Sequence, residues 1–365
     1  MYQKIIGMMT LILLISSCAT GGIKPTSKDL EAHDRTFYTQ RSHTIVDVLY
    51  GTDRHIEVKQ SLEERYTGKR SKLKFGVAQV SVPKTHKFGE MERPGILDGD
   101  ERIGRDIVIT KLDAIKLQKF SELLTLKLGN VHQDDILIFI HGFNVSFASA
   151  VRRTAQLAYD LEFQGVPLTY SWSSQGIMSD YMKDEASVQY TVPKLVSFLQ
   201  HVIKNKANAN IHILAHSMGT RALTNALKDI SFMYKSPQFK NIILAAPDID
   251  AEVFESNLYP YVRKTTEKIT LYASSEDSAL EVSNTLHGGK RLGEGGQNIS
   301  VFEDMVTIDA TGIDTSMLGH SYFAEKEILV NDLRLVVQKS LPPSKRVNLI
   351  EKLKSKLLYW KFDNK

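Results

Sequence analysis

Cysteine is almost absent: Cys18 is the only one in 365 residues. No intrachain disulfide can therefore support the fold, whichever compartment the protein works in. An excess of charge is also missing. Forty-six basic residues against 42 acidic ones leave a net +4, diluted along the chain, so nucleic acid is not an expected partner. No apolar run is long enough to cross a bilayer comfortably. There is no internal repeat, no His/Cys/acid cluster at metal-ligand spacing, and no phosphate-cradling glycine loop after a strand, so neither a metal nor a cofactor is expected. What remains is ordinary globular material. With 42% hydrophobic and 24% charged residues the chain is not disordered, and its length suffices for one large domain with extensions.

The first residues stand apart. Lys4 precedes an apolar run from Ile5 to Ile15, the length of a signal-peptide core. Ile15-Ser16-Ser17-Cys18 then resembles a bacterial lipobox, with the sole cysteine at the position that would be lipidated. The alternative is a plain secretory signal and an incidental thiol. On the lipobox reading, residues 1–17 are a lipoprotein signal peptide and lipidated Cys18 anchors the chain to a membrane of the bacterial cell envelope. Ala19 resembles the residue that sorts lipoproteins to the outer membrane, in a host that has one. Residues 18–43, polar and carrying Gly21-Gly22 and Pro25, read as a flexible tether.

Beyond the tether the periodicity changes. Val46–Tyr50, Leu73–Val82 and Ile107–Ile109 are expected strands of an N-terminal sheet portion. From Ile136 onward, apolar runs alternate with helical patterns: expected strands at Ile136–Ile140, Leu168–Trp172, Ile211–Ala215, Ile242–Ala246, Ile269–Ala273 and Met305–Ile308. Helices fit at Phe147–Glu162, Asp184–Lys204, Arg221–Tyr234 and Tyr322–Val337. This alternation predicts an α/β domain over residues 44–340, with a mostly parallel sheet covered by helices on both faces. About 20 residues separate Ala246 from Ile269, too few for a large lid domain. Ile350, Leu353, Leu357 and Trp360, at spacings of three and four, predict a basic amphipathic helix over residues 341–365. Packing of its apolar stripe onto the domain is the first expectation, a membrane-surface role the second.

The chemistry concentrates at Ile211-His212-Ile213-Leu214-Ala215-His216-Ser217-Met218-Gly219-Thr220. It reads as a strand delivering Ser217 onto a tight turn ahead of a helix, the nucleophile elbow that lifts a serine hydroxyl clear of the backbone. Small residues are needed beside it; Gly219 supplies one, and Ala215 stands where the commonest form has glycine. Alone, such a pattern arises by chance roughly once in every few chains of this length. Context strengthens it. The run Ile136–Ile140 ends in His141-Gly142-Phe143-Asn144, the type of turn that donates an oxyanion-hole amide, so the backbone N–H groups of Phe143 and Met218 are the expected donors.

A serine hydroxyl needs an imidazole to take its proton and a carboxylate to orient that imidazole. His320, between the last strand and the last helix, is the expected base, with His287 a weak rival. Asp277, after the penultimate strand, is the expected acid, and Asp248, one strand earlier, is the alternative; Glu276 and Asp250 are lesser candidates. Asp250 could equally cap the helix that follows it. His216 is expected to point away from the reaction and His141 to shape the oxyanion turn; Asn144 braces that turn or tolerates its dihedrals. Trp172 lines the pocket or packs in the core, and the glycine-rich stretch His287–Gly296 reads as a mobile loop beside the site. The serine, acid, histidine order is that of the α/β-hydrolase fold.

Taken together, Tyr50-Gly51-Thr52-Asp53-Arg54, Val80-Ser81-Val82-Pro83, His141–Asn144, Tyr170-Ser171-Trp172-Ser173-Ser174, Ala215–Gly219, Ala246–Asp250 and Gly319-His320-Ser321 resemble a bacterial α/β-hydrolase family of unknown function whose members are often exported or lipidated. The resemblance covers roughly residues 44 to 338 and implies a serine hydrolase triad; it implies no substrate. Asp53 and Arg54 are expected to form a partly buried structural ion pair. The function expected is a lipid-anchored carboxylesterase working through an acyl-enzyme on Ser217, its partners a small-molecule or envelope ester and the membrane. A catalytically inactive binding scaffold and an acyltransferase are the alternatives.

Overall fold

Short apolar runs with no polar alternation form strands buried on both faces, and the computed structural model of the chain is built around such strands. It describes residues 36–95, 98–131, 135–176, 180–276, 288–313 and 323–363, side chains of 323–326 excepted, all within the compact unit His33–Lys365. The N-terminal portion holds β1 (Phe37–Thr39), β2 (His43–Ile56), β3 (Tyr66–Pro83), β4 (Val108–Ile115) and α1 (Leu117–Leu128). The alternating portion follows as β5 (Asp135–Ile140), α2 (Phe147–Asp160), β6 (Val166–Ser171), α3 (Tyr181–Asn205), β7 (Asn210–His216), α4 (Gly219–Met233) and β8 (Phe239–Ala245). Next come α5 (Ala251–Val253), a π-helical turn at Phe254–Leu258, α6 (Tyr259–Thr265), β9 (Thr266–Ala273), β10 (Val306–Asp309), α7 (Phe323–Lys339), β11 (Leu349–Lys354) and β12 (Leu357–Phe362).

The strands form one sheet in the order β11-β12-β10-β9-β8-β7-β5-β6-β2-β3-β4, with β1 antiparallel to the start of β2. Every pairing from β2 to β12 along that order is parallel, while β3, β4 and β11 run antiparallel to their neighbours. Side chains alternate between the two faces. Ile136, Ile138 and Ile140 join a core with α1, α3, α4 and the 251–265 helices, whereas Leu137 and Phe139 join a second core with α2 and α7. The predicted α/β architecture is what forms.

Three expectations need correction. The tail is a β-hairpin, not a helix: β11 and β12 turn over Ser355 and Lys356, both at positive φ, as a two-residue hairpin loop requires. The spacing of Ile350, Leu353, Leu357 and Trp360 mimicked a helical stripe, but the open edge of β10 templates β12 instead, pairing Ile308 with Trp360. The domain therefore extends through the tail, and β1 takes its other boundary into the stretch read as tether. Finally, residues 290–293 of the glycine-rich stretch are strapped down: Ala251 donates to Lys290 O, Leu292 to Ile249 O, Gly293 to Pro247 O and Ser274 to Gly293 O, all at 2.8–2.9 Å.

Candidate active site

The parallel strands change direction around β5. From β5 the chain crosses by α2 to β6 on one side, then returns by α3 to β7 on the other, and such a reversal opens a crevice at the carboxyl ends of the two central strands. The loops leaving β5 and β7 are those carrying His141–Asn144 and Ser217.

Ser217, which with Met218 makes the turn between β7 and α4, has φ +49°, in the left-handed region that a serine adopts only under constraint. The surroundings supply that constraint: its N–H donates to Ala245 O at 2.9 Å, and its carbonyl accepts from Thr220 N at 3.0 Å and Thr220 Oγ1 at 2.6 Å. A Cβ on Gly219 would lie 2.2 Å from His141 O, so only glycine lets α4 approach the β5 turn. A Cβ on Gly142 would lie 2.9 Å from the Cβ of Ser217, which places the expected oxyanion turn against the serine. Phe143 follows that contact, and buried Met218 caps α4 directly after the serine. Asn144 has φ +57°, so its tolerance of left-handed geometry is used.

Behind the turn lies a buried polar network that sequence reasoning missed. Arg54, 1% exposed, donates from Nε to Ser171 Oγ (2.9 Å), from Nη1 to Ser174 O (2.7 Å) and from Nη2 to Val145 O (2.7 Å). No Asp53–Arg54 ion pair forms among the described residues. Neighbours on a strand project apart, and buried Asp53 lies instead near the hydroxyls of Thr191 and Ser173. Burial lowers Arg54 to about 10, which still leaves it charged at neutral pH. The same burial, with the Arg54 charge beside it, depresses His141 to about 3, so its imidazole is neutral. Because Gly142 O can only accept, His141 Nδ1, 2.8 Å away, carries the proton, and Nε2 accepts from Ser171 Oγ at 3.1 Å. Trp172 stacks on this ring at 5.1 Å and donates from Nε1 to His141 O at 2.7 Å, so it supports the turn from within the core. Ser174 Oγ and Gln175 N donate to Asp184 on α3 at 2.5 and 2.8 Å, fixing the β6 exit.

Of the candidate acids, Asp248 is held by cations. Oδ2 accepts from Arg221 Nη2 at 2.9 Å and Tyr181 Oη at 2.8 Å, while Arg291 Nε lies 3.6 Å from Oδ1. Arg221 also reaches Glu185 at 2.5 Å, and the Tyr181 ring meets Phe143 edge-on at 5.1 Å. A groove of about 850 Å³ opens beside this cluster, between Val188 and Val192 of α3 and Ile249 and Leu258. Asp250 caps the following helix, its Oδ1 accepting from Glu252 N and Val253 N at 3.0 Å. Cys18, Asp277, His287 and His320 lie outside the described residues. Their roots do not. Glu276, next to Asp277, accepts from Gly312 N at 3.2 Å, and Ser275 N donates to Thr311 Oγ1 at 3.0 Å, so the exits of β9 and β10 are laced together beside β8.

A family model described as "Alpha/beta hydrolase of unknown function (DUF900)" matches residues 117–339. Among curated proteins no match is found. Among solved structures, a candidate cell surface hydrolase from Lactobacillus plantarum WCFS1 is similar at 12% identity over 58% of this chain and 94% of that one, with a TM-score of 0.34. A fungal esterase from Rhizomucor miehei is similar at 9% identity over 86% of this chain and 89% of that one, TM-score 0.33. A Trichoderma reesei cutinase in complex with a phosphonate inhibitor is similar at 12% identity over 61% and 87% of the two chains, TM-score 0.27.

Proposed function

Because the chain belongs to this family of α/β hydrolases of unknown function, we propose that it is a serine hydrolase that forms an acyl-enzyme on Ser217, with a carboxylic ester as substrate. The observation that carries the reading is the left-handed Ser217 at the β7–α4 corner, with Gly142 packed on its Cβ. In the acylation step Ser217 Oγ attacks the ester carbonyl carbon while His320 takes its proton; the tetrahedral intermediate then expels the alcohol, protonated by His320. Water adds to the acyl-enzyme by the same route and releases the acid. The amides of Phe143 and Met218 are the donors proposed for the oxyanion, fixed dipoles of the kind whose loss costs about 3–4 kcal/mol of transition-state stabilisation.

Asp277 is assigned as the carboxylate that orients His320. The support is the lacing of Ser275 and Glu276 to Thr311 and Gly312, together with the ion pairing that already occupies Asp248. Arg221 and Arg291 give Asp248 a bracing role between α4, α3 and the strap at 290–293. Lipidation of Cys18 would hold the enzyme in the bacterial envelope.

Hydrolysis of p-nitrophenyl esters from acetate to palmitate tests this. Turnover that depends on chain length and is abolished in Ser217→Ala and His320→Ala is expected, with Asp277→Asn far more damaging than Asp248→Asn. Folded wild-type protein that neither turns over any ester nor takes a fluorophosphonate label would overturn the assignment.

A further inference from the structure

The parallel strands have two ends, and Ser217 occupies only one of them. Helix α4 starts two residues after Ser217 and runs back to the opposite, amino-terminal ends of the strands, where it finishes in Phe232 and Met233. These two large apolar side chains are 70% and 50% exposed. Because β12 is parallel to β10, the Ser355–Lys356 turn ahead of it projects from the same end. There Leu353 and Leu358 face each other across the hairpin, 69% and 49% exposed, although Phe362 at the hairpin base is buried.

The two apolar points lie at the same end of the sheet. The Phe232 ring lies 5.2 Å from Tyr261 of α6, and Arg263 of α6 pairs with Asp304 ahead of β10, the strand beside β12; Lys354 of β11 is held by Gln297 O and Ile299 O at 2.7 and 2.9 Å. Charge along the rim of that end is one-sided. Lys228 and Lys264 stand 4.9 and 5.5 Å from the Tyr261 ring, and Lys235, Lys352, Lys354 and Lys356 follow. Against these six lysines stand Asp229, Glu303 and Glu351, while Asp304 and Glu267 are neutralised by Arg263 and Lys240.

From this we infer that the rim opposite the catalytic edge docks on an anionic phospholipid surface, with Phe232, Met233, Leu353 and Leu358 in the interfacial layer and the lysines at the head groups. The charge complementarity is that of a polybasic, aromatic-containing membrane surface. The shape agrees. Four protruding side chains spaced along an edge suit a deformable interface, whereas a folded partner needs a contiguous apolar patch with a polar rim. Docking in this pose turns Ser217 away from the bilayer. The inference goes beyond the hydrolase assignment and does not depend on it.

Trp360 provides an internal probe, since it sits on the strand face shared by Leu358 and Trp172 is buried far from it. The full chain carrying Cys18→Ser, so that no acyl chain contributes, is mixed with vesicles of phosphatidylglycerol and phosphatidylcholine in equal amounts, their acyl chains brominated. Quenching of Trp360 is expected, absent with phosphatidylcholine alone and relieved by high salt. Leu353→Ser/Leu358→Ser should abolish it, and Lys352→Glu/Lys356→Glu should weaken binding about tenfold or more. All four positions are exposed, so these variants keep the fold, which near-ultraviolet circular dichroism checks. Unquenched Trp360 on anionic vesicles overturns the inference even if the amino terminus holds the protein there. Self-association lost in the leucine variant, without quenching, would assign the rim to a second copy and overturn it equally.

Discussion

At the residue scale the consequential side chain is Arg54, whose charge reaches the proposed oxyanion hole through two relays. Arg54 Nε–H donates to Ser171 Oγ, which donates to His141 Nε2, and His141 Nδ1–H donates to Gly142 O. That carbonyl belongs to the peptide whose N–H is on Phe143, so drawing electron density to the oxygen makes the amide a better donor. Ser171→Ala and Arg54→Lys should each lower kcat on p-nitrophenyl acetate about tenfold, less than loss of a whole donor, with KM nearly unchanged. A raised KM at full kcat would show that the network acts on binding alone. His86 makes a second residue-scale case. Burial by itself would lower its imidazole, but hydrogen bonds at 2.7 Å to Asp160 and Glu92 prevail and lift it to about 9. A folded value above the unfolded one gives stability that is full below about pH 6.5 and is lost as pH rises through 9. His86→Gln should therefore cost about 3 kcal/mol at pH 6 and much less at pH 10, measured by urea unfolding; an equal cost at both would place His86's value in packing.

Among the elements, the carboxy-terminal hairpin shows how a distant ion pair secures an edge. Arg346, ahead of β11, donates to Asp332 of α7 at 2.9 Å, and Tyr272 of β9 donates to the same oxygen at 2.5 Å, all three side chains buried. Removing one partner strands a charge, whereas removing both does not. Arg346→Met should destabilise the protein by about 3–5 kcal/mol, and Arg346→Met/Asp332→Leu should recover most of the loss. Thermal unfolding of both variants decides it; a double variant no better than the single one would mean that shape, not charge, matters there. The strap at 290–293 acts similarly, its four backbone bonds tying the exits of β8 and β9 that lead toward the two candidate acids.

For the molecule as a whole, the sheet separates two cores and also two surfaces. One core is closed by α1, α3, α4 and the 251–265 helices and the other by α2 and α7, so the crossovers on either side of β5 must part, and Ser217 and the His141–Asn144 turn meet in the gap. The opposite ends of the same strands carry the basic rim. No described helix is long and apolar enough to cross a membrane.

The sequence by itself determined what local patterns can encode. The strands β5 to β10 are runs too apolar to sit anywhere but between two layers, and Ser217 between Ala215 and Gly219 admits few geometries besides a tight corner. Asp250 announced its capping role because a cap is settled within three residues. Tertiary structure decided what depends on neighbours distant in the chain. Tyr50–Arg54 and Tyr170–Ser174 stood out without a chemistry, since Arg54 meets Ser171 and Ser174 only once β2 pairs with β6, some 117 residues later. The tail fitted a helical stripe and became a hairpin because β10 offered it an unpaired edge, a fact that no window of residues 341–365 contains.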